Sequence, residues 1–188
     1  MKIAKEEKKY IYCLEGDWSN DLRDRTSIKS TLDYLKDCFN IDYIRRDCAT
    51  KEALFDYLKK YTLKKYNKYS ILYLAFHGEA NAIQVGKEIV ELGEIAEICE
   101  DKLKYCIVHF GSCSTLNLNK RIINQFIQKT NALCVSGYKT DVDFNKSTVL
   151  DVLYFEEWQK YKDVRSVERN MKQYKGLHNV LGFRIEHV

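Results

Sequence analysis

Two short apolar runs in this sequence stop at side chains that can do covalent chemistry. LYLAFHGEAN, from Leu72 to Asn81, stops at His77-Gly78, and CIVHFGSCST, from Cys106 to Thr115, stops at Gly111-Ser112-Cys113. A free thiol has a pKa of about 8.5 and is only a few per cent thiolate at neutral pH. A nearby imidazole raises that fraction, or later protonates a leaving amine, and such general acid–base help contributes about 10²–10⁴ in rate. Glycine beside each group lets backbone N–H groups approach a carbonyl oxygen closely. The N–H groups of Gly78 and Cys113 are therefore the oxyanion-hole candidates, one such donor being worth about 10²–10³ in rate. A helix expected near Asn117–Lys120 would place Cys113 close to a helix N-terminus, which favours thiolate and oxyanion alike.

Each residue also has an ordinary reading. A histidine after a strand commonly serves in a loop or cap, and one cysteine among seven is commonly core filler. The pairing weakens those ordinary readings and leaves chemistry on an equal footing with them: both types stand at the ends of consecutive apolar strands. His109 lies inside the second run and reads as a hydrogen-bonded core or helix-facing residue. His178 and His187 have no nucleophile near them in the chain and read as structural.

To bring His77 and Cys113 together, the surrounding elements must form one sheet. KKYIYCL (8–14), IDYIRR (41–46), SILYLAF (70–76), YCIVHFG (105–111), ALCVSGY (132–138) and NVLGFRIEHV (179–188) read as strands. Between them stand helical patterns: from Thr26 or Ser27 to Phe39, from Thr50 through Leu54, Leu58 and Tyr61, then GEIAEICEDK, KRIINQFIQK, DFNKSTVLDVLYFEEWQKY and VRSVERNMKQY. NAIQVGKEIVEL reads as a small hairpin around Gly86-Lys87. Alternating strands and helices predict an α/β fold, a mainly parallel sheet of about six strands with helices on both faces. In such a sheet, residues just past the carboxyl ends of the strands line the binding crevice, and neighbouring strand ends lie about 5 Å apart.

Length and composition predict one domain, 1–188, of globular character. The net charge of +4 is spread along the chain, with no basic stripe interleaved with aromatics, so nucleic acid is not an expected partner. No run approaches the roughly 18–20 apolar residues of a membrane span, and MKIAKEEKKY holds no signal-peptide core. Seven cysteines, an odd number without CxxC or finger spacing, predict free thiols in a reduced, cytoplasmic protein with no metal site.

The segments YLAFHGE and IVHFGSCST, histidine first and cysteine second, resemble the caspase-like cysteine peptidases of clan CD. Within these, the likeness is strongest to the bacterial CHAT-type and separase-like branch. Members carry His-Gly after one strand and the nucleophilic cysteine after the next, matching His77-Gly78 and Cys113. NAIQVGKEIVELGEIAEI resembles the family's insert between those strands, and VSGYKTDVDFNKSTVLDVLYFEEW the strand, acidic turn and long helix that follow. The resemblance covers residues 70–160, and the first two strand–helix units in topology alone. It implies a three-layer caspase-like fold and a cofactor-free cysteine endopeptidase acting on a protein substrate, for instance in bacterial stress or anti-phage defence.

The resemblance also suggests a pocket for a basic substrate residue. Asp141 and Asp143 match the acidic turn that helps form it in separase-like relatives, and Asp17 loosely matches an acidic position of metacaspase-type relatives. The ordinary readings are a cap for a helix beginning near Phe144 and a turn aspartate. The sequence departs from the family at Tyr138, where tryptophan is common, and at Lys139, where proline often follows. It has no interdomain linker for self-cleavage, so an activator would be a separate chain.

Three other functions compete with this one. A non-catalytic caspase-like module could recruit a partner through the same cleft, but it need not keep both His77 and Cys113. A nucleotide-binding domain would need a glycine-rich loop after the first strand, where EGDWSND stands instead. A glutamine-amidotransferase-type thiol hydrolase places cysteine before histidine in the chain, the reverse of the order here.

Overall fold

In the computed structural model, which describes residues 8–188, the long apolar runs become the strands of one six-stranded sheet. The reading of the first seven residues as free of a leader lies outside the described part. The sheet contains β1 (Ile11–Glu15), β2 (Tyr43–Asp47), β3 (Ile71–Ala75), β7 (Ile107–Phe110), β8 (Cys134–Tyr138) and β9 (Phe183–Glu186), in the order β2-β1-β3-β7-β8-β9. The first five are parallel, and β9 runs antiparallel along the edge beside β8.

β1, β3 and β8 are buried at every position, as strands covered on both faces must be. One face is covered by α2 (Lys51–Tyr61), α3 (Leu92–Ile98) and α4 (Lys120–Thr130), through Leu54, Leu58, Ile95, Ile123 and Phe126. The other is covered by α1 (Lys29–Phe39), α5 (Phe144–Lys160) and α6 (Val164–Met171), through Leu32, Leu35, Tyr154, Phe155, Trp158 and Val167. The expected three-layer α/β architecture is thus present.

The insert between β3 and β7 forms a second sheet, β4 (His77–Glu79), β5 (Ala82–Val85) and β6 (Glu88–Glu91), all antiparallel. Its hairpin was legible around Gly86, but β4 adds a third strand that begins at His77 itself. Near the C-terminus, Asn179 and Val180 do not start a strand as expected. They end a short helix, α7 (Lys175–Val180), and Gly182, at φ +58°, turns the chain into β9. A left-handed residue just past a helix end is the usual stop signal, and glycine takes that conformation without a Cβ clash.

Candidate active site

The register of the sheet sets the site. Leu74 of β3 pairs with Phe110 of β7, so the chain beyond each strand emerges at the same edge, side by side. His77 leaves β3 after one intervening residue, and Gly111-Ser112-Cys113 leaves β7 directly. Both groups wall a single cleft of about 130 Å³, together with Trp18, Tyr73, Phe76, Val142, Phe144 and Thr148. A larger open groove of about 480 Å³ between α1 and α5 meets this cleft at Thr148.

His77 is exposed, with its orientation fixed from one side. Nε2 lies 2.9 Å from the carbonyl oxygen of Trp18. A carbonyl can only accept, so Nε2 carries the proton and Nδ1 keeps its lone pair. Nδ1 has no hydrogen-bond partner among the described residues. The Trp18 ring meets the imidazole edge-on at 5.4 Å and Phe144 edge-on at 5.0 Å, so aromatic packing holds the same orientation.

Trp18 is itself held from below. The buried carboxylate of Glu15, at the end of β1, accepts from the Trp18 indole N–H at 2.6 Å and from the Ile28 N–H at 2.8 Å. Its second oxygen accepts from Ser27 Oγ and pairs with Arg45. A single carboxylate thus fastens the β1 turn and the start of α1 to the sheet.

Cys113 is half-buried in the turn after β7. Its thiol faces the backbone of Val142, whose N–H donates to Sγ at 3.4 Å and whose carbonyl lies 3.7 Å away. The turn is pinned on both sides. Ser114, at φ +52°, donates its N–H to Thr140 and its hydroxyl to Asp141 at 2.8 Å. Thr115 is fully buried and lies within hydrogen-bond distance of the Ala82 carbonyl and Ser112 Oγ. Arg184 of β9 donates to the carbonyls of Leu116 and Leu118 just beyond.

Gly78 closes the arrangement. A Cβ there would lie 2.3 Å from Thr115 Oγ1 and 2.7 Å from the Cys113 carbonyl, so only glycine lets β4 lie against the cysteine turn. Among the described residues, the Cys113 N–H has no protein acceptor.

The next helix, α4, begins at Lys120, within the stretch the sequence marked, and is capped by Asn119, while Cys113 lies in the turn that precedes it. The first polar partner of the thiol is therefore the Val142 N–H, in place of a helix N-terminus.

The three aspartates do not line the cleft. Asp143 caps α5, its carboxylate accepting the Lys146 N–H at 3.0 Å. Asp141 holds Ser114, and Asp17 is exposed in its turn. In each case the adjacent residue reaches the cleft instead: Trp18, Val142 and Phe144. At Asp143 the reason is local, because a cap must fold back onto the first turn of its own helix. Large apolar residues inside polar turns, the W of EGDWSND and the V and F of TDVDFN, were the available signal, because such side chains need a surface to pack on.

Beneath the site lies a buried polar cluster. Asp151 of α5 accepts from Tyr73 at 2.7 Å, from Tyr138 and from His109 Nε2 at 2.8 Å, while His109 Nδ1 meets Ser136 Oγ at 2.9 Å. His109 is the helix-facing core residue expected of it.

All seven cysteines are unpaired. Burial pushes the Cys48, Cys99 and Cys134 thiols up to about 12. Among the described residues, no cluster of three or more His, Cys, Asp or Glu is placed to hold a metal ion. None of their helices is long and apolar enough to cross a membrane.

A mainly parallel sheet covered on both faces, with histidine and cysteine at neighbouring strand ends, defines a three-layer α/β protein with a thiol–imidazole cleft. The chain belongs to a family described as "Family of unknown function (DUF6642)", whose profile matches residues 8–187. No curated protein matches it in sequence.

Proposed function

We propose that this chain is a cysteine endopeptidase of the caspase-like, clan CD kind, with Cys113 as nucleophile and His77 as proton carrier. One observation carries the reading: the two groups wall one cleft from neighbouring strand ends, with Nε2 of His77 committed to a carbonyl and Nδ1 left open. The histidine-then-cysteine order and the intervening insert add to it.

The chemistry follows from those placements. The Cys113 proton passes to Nδ1 of His77, and the imidazolium is steadied by its Nε2–H bond to Trp18. The Val142 N–H solvates the thiolate. Sγ then attacks the substrate carbonyl carbon, forming a C–S bond as the carbonyl pair moves onto oxygen. The N–H groups of Cys113 and Gly78 receive that oxyanion. Nδ1 returns its proton to the departing amine, the C–N bond breaks, and a thioester remains on Cys113. Water, deprotonated by Nδ1, then attacks the thioester and the C–S bond breaks, releasing the acid. A reduced, cytoplasmic setting suits a nucleophile that must stay a free thiol, and a separate protein chain is the natural activator.

Alkylation rates test this. With iodoacetamide at pH 8, Cys113 should react at least about tenfold faster than the exposed Cys38 in the folded protein. An unfolded protein substrate such as casein should be cleaved by the wild type and left intact by Cys113→Ala. Equal alkylation of Cys113 and Cys38, with no cleavage, would overturn the peptidase reading in favour of a recruiting module.

A further inference from the structure

We infer that the cleft beside the dyad is a subsite for an uncharged, aliphatic side chain of leucine or methionine size, borne by the substrate residue before the scissile bond. This deepens the peptidase reading and rests on it. It also runs against the basic specificity that the acidic turns had suggested.

The walls are the first argument. Of the twelve residues lining the cleft, His77 is the only titratable group besides the Cys113 thiol and the buried Tyr73 phenol, and no carboxylate is among them. The two buried carboxylates nearby are fully engaged elsewhere. Glu15 holds Trp18, Ile28, Ser27 and Arg45, while Asp151 serves His109, Tyr73 and Tyr138. Asp143 is bound to its own helix. A lysine or arginine entering here would lose water and gain no counter-charge, which is strongly unfavourable. An aspartate would fare no better, because no lysine or arginine lines the cleft and the His77 imidazolium is matched by the Cys113 thiolate.

Size is the second argument. The cleft holds about 130 Å³. An apolar protein cavity of about 150 Å³ admits benzene and stays dry when empty. Leucine or methionine fits that space beside the packed rings of Trp18 and Phe144, and the indole of tryptophan exceeds it. Position is the third argument. Cys113 and His77 form part of the same wall, so a side chain in the cleft sits next to the bond being attacked.

Three peptidyl chloromethyl ketones, identical except for a final Leu, Lys or Asp, test the inference on the intact chain. Each alkylates by displacement of chloride by Sγ, and peptide mapping gives the rate at each cysteine. The Leu probe should label Cys113 faster than the Lys and Asp probes by a factor within the roughly 10–200-fold range that apolar pockets achieve. Thr148→Asp, which puts a carboxylate on the far wall, should raise the Lys-to-Leu rate ratio at least about tenfold. Labelling of Cys113 by Lys or Asp probes as fast as by Leu would overturn the subsite and leave the dyad standing. If no probe labels Cys113 faster than Cys38, the peptidase reading and the subsite fall together. The wild-type ratios decide the matter even if Thr148→Asp does not fold.

Discussion

His109 lies inside β7, whereas His77 stands just past the neighbouring strand β3, at the start of β4 in the small sheet, and the two have opposite surroundings. His109 is wholly buried, both ring nitrogens have side-chain partners, and the rings of Tyr73, Tyr154 and Phe155 enclose it. His77 is exposed, has one backbone partner and keeps a free nitrogen. The cysteines divide in the same way. Cys134, inside β8, is fully buried and its thiol is pushed up to about 12, whereas Cys113 stands past the end of β7 with part of its surface open. Within the sheet, a polar group must be fully satisfied, because an unpaired buried donor or acceptor costs about 1–3 kcal/mol. Beyond the strand ends, water covers the unused valence, so a reactive group can remain unfinished there.

The comparison is broken most directly at Cys113 and His77, the groups proposed to carry the chemistry. Cys113→Ala and His77→Ala should each lower cleavage by about 10³-fold or more. Neither should change stability by more than about 1 kcal/mol, because neither side chain fills the core. Cleavage assays paired with urea denaturation measure both quantities. A loss of stability equal to that of a core variant would place Cys113 with Cys134.

The buried member of the comparison should respond in the opposite sense. Asp151→Ala removes the acceptor of three buried donors and should destabilise the fold by about 3–5 kcal/mol. Any fall in activity should then follow the loss of folded protein. If Asp151→Ala folds with wild-type stability but loses turnover, the cluster acts on the site rather than on the core.

This division also explains how much of the molecule was legible in the sequence. The strands were readable because sheets covered on both faces demand unbroken apolar runs such as ILYLA. The placing of His77 and Cys113 at one cleft was readable because each run ended in a polar residue beside glycine. The Trp18 carbonyl was not, since any residue supplies a backbone acceptor and sequence carries no mark of which one a histidine will face. The place of the acidic residues was illegible for a related reason: Asp143 looks the same in sequence whether it caps a helix or lines a pocket. The α7 segment was missed because GLHNV holds no long periodic pattern and its end is decided by Gly182.

Glu15 sharpens the comparison from between its two extremes, being buried like Asp151 yet one residue contact from His77. Glu15→Gln keeps the shape but removes the charge facing Arg45, and should cost about 1–3 kcal/mol. Because the carboxylate fixes Trp18, turnover should also fall, by about tenfold, in the fraction that remains folded. Single-turnover assays on folded protein separate the two effects. Unchanged turnover would show that the aromatic packing of Trp18 against Phe144 and His77 suffices to hold the imidazole.

The smallest effect is expected at Asp143, where two opposed readings give different patterns. As the cap of α5 it satisfies one backbone N–H, that of Lys146, and Asp143→Ala should lower stability by about 1 kcal/mol. Its carboxylate lies outside the cleft, so Leu, Lys and Asp substrates should keep their relative rates within about twofold. Asp143→Asn should restore most of the stability, since asparagine caps nearly as well as aspartate. A carboxylate serving a basic pocket would give the reverse pattern: little change in stability, selective loss of Lys cleavage, and no rescue by asparagine. Measuring both variants on the same three substrates, beside their urea midpoints, distinguishes a residue that shapes the wall from one that contacts the substrate.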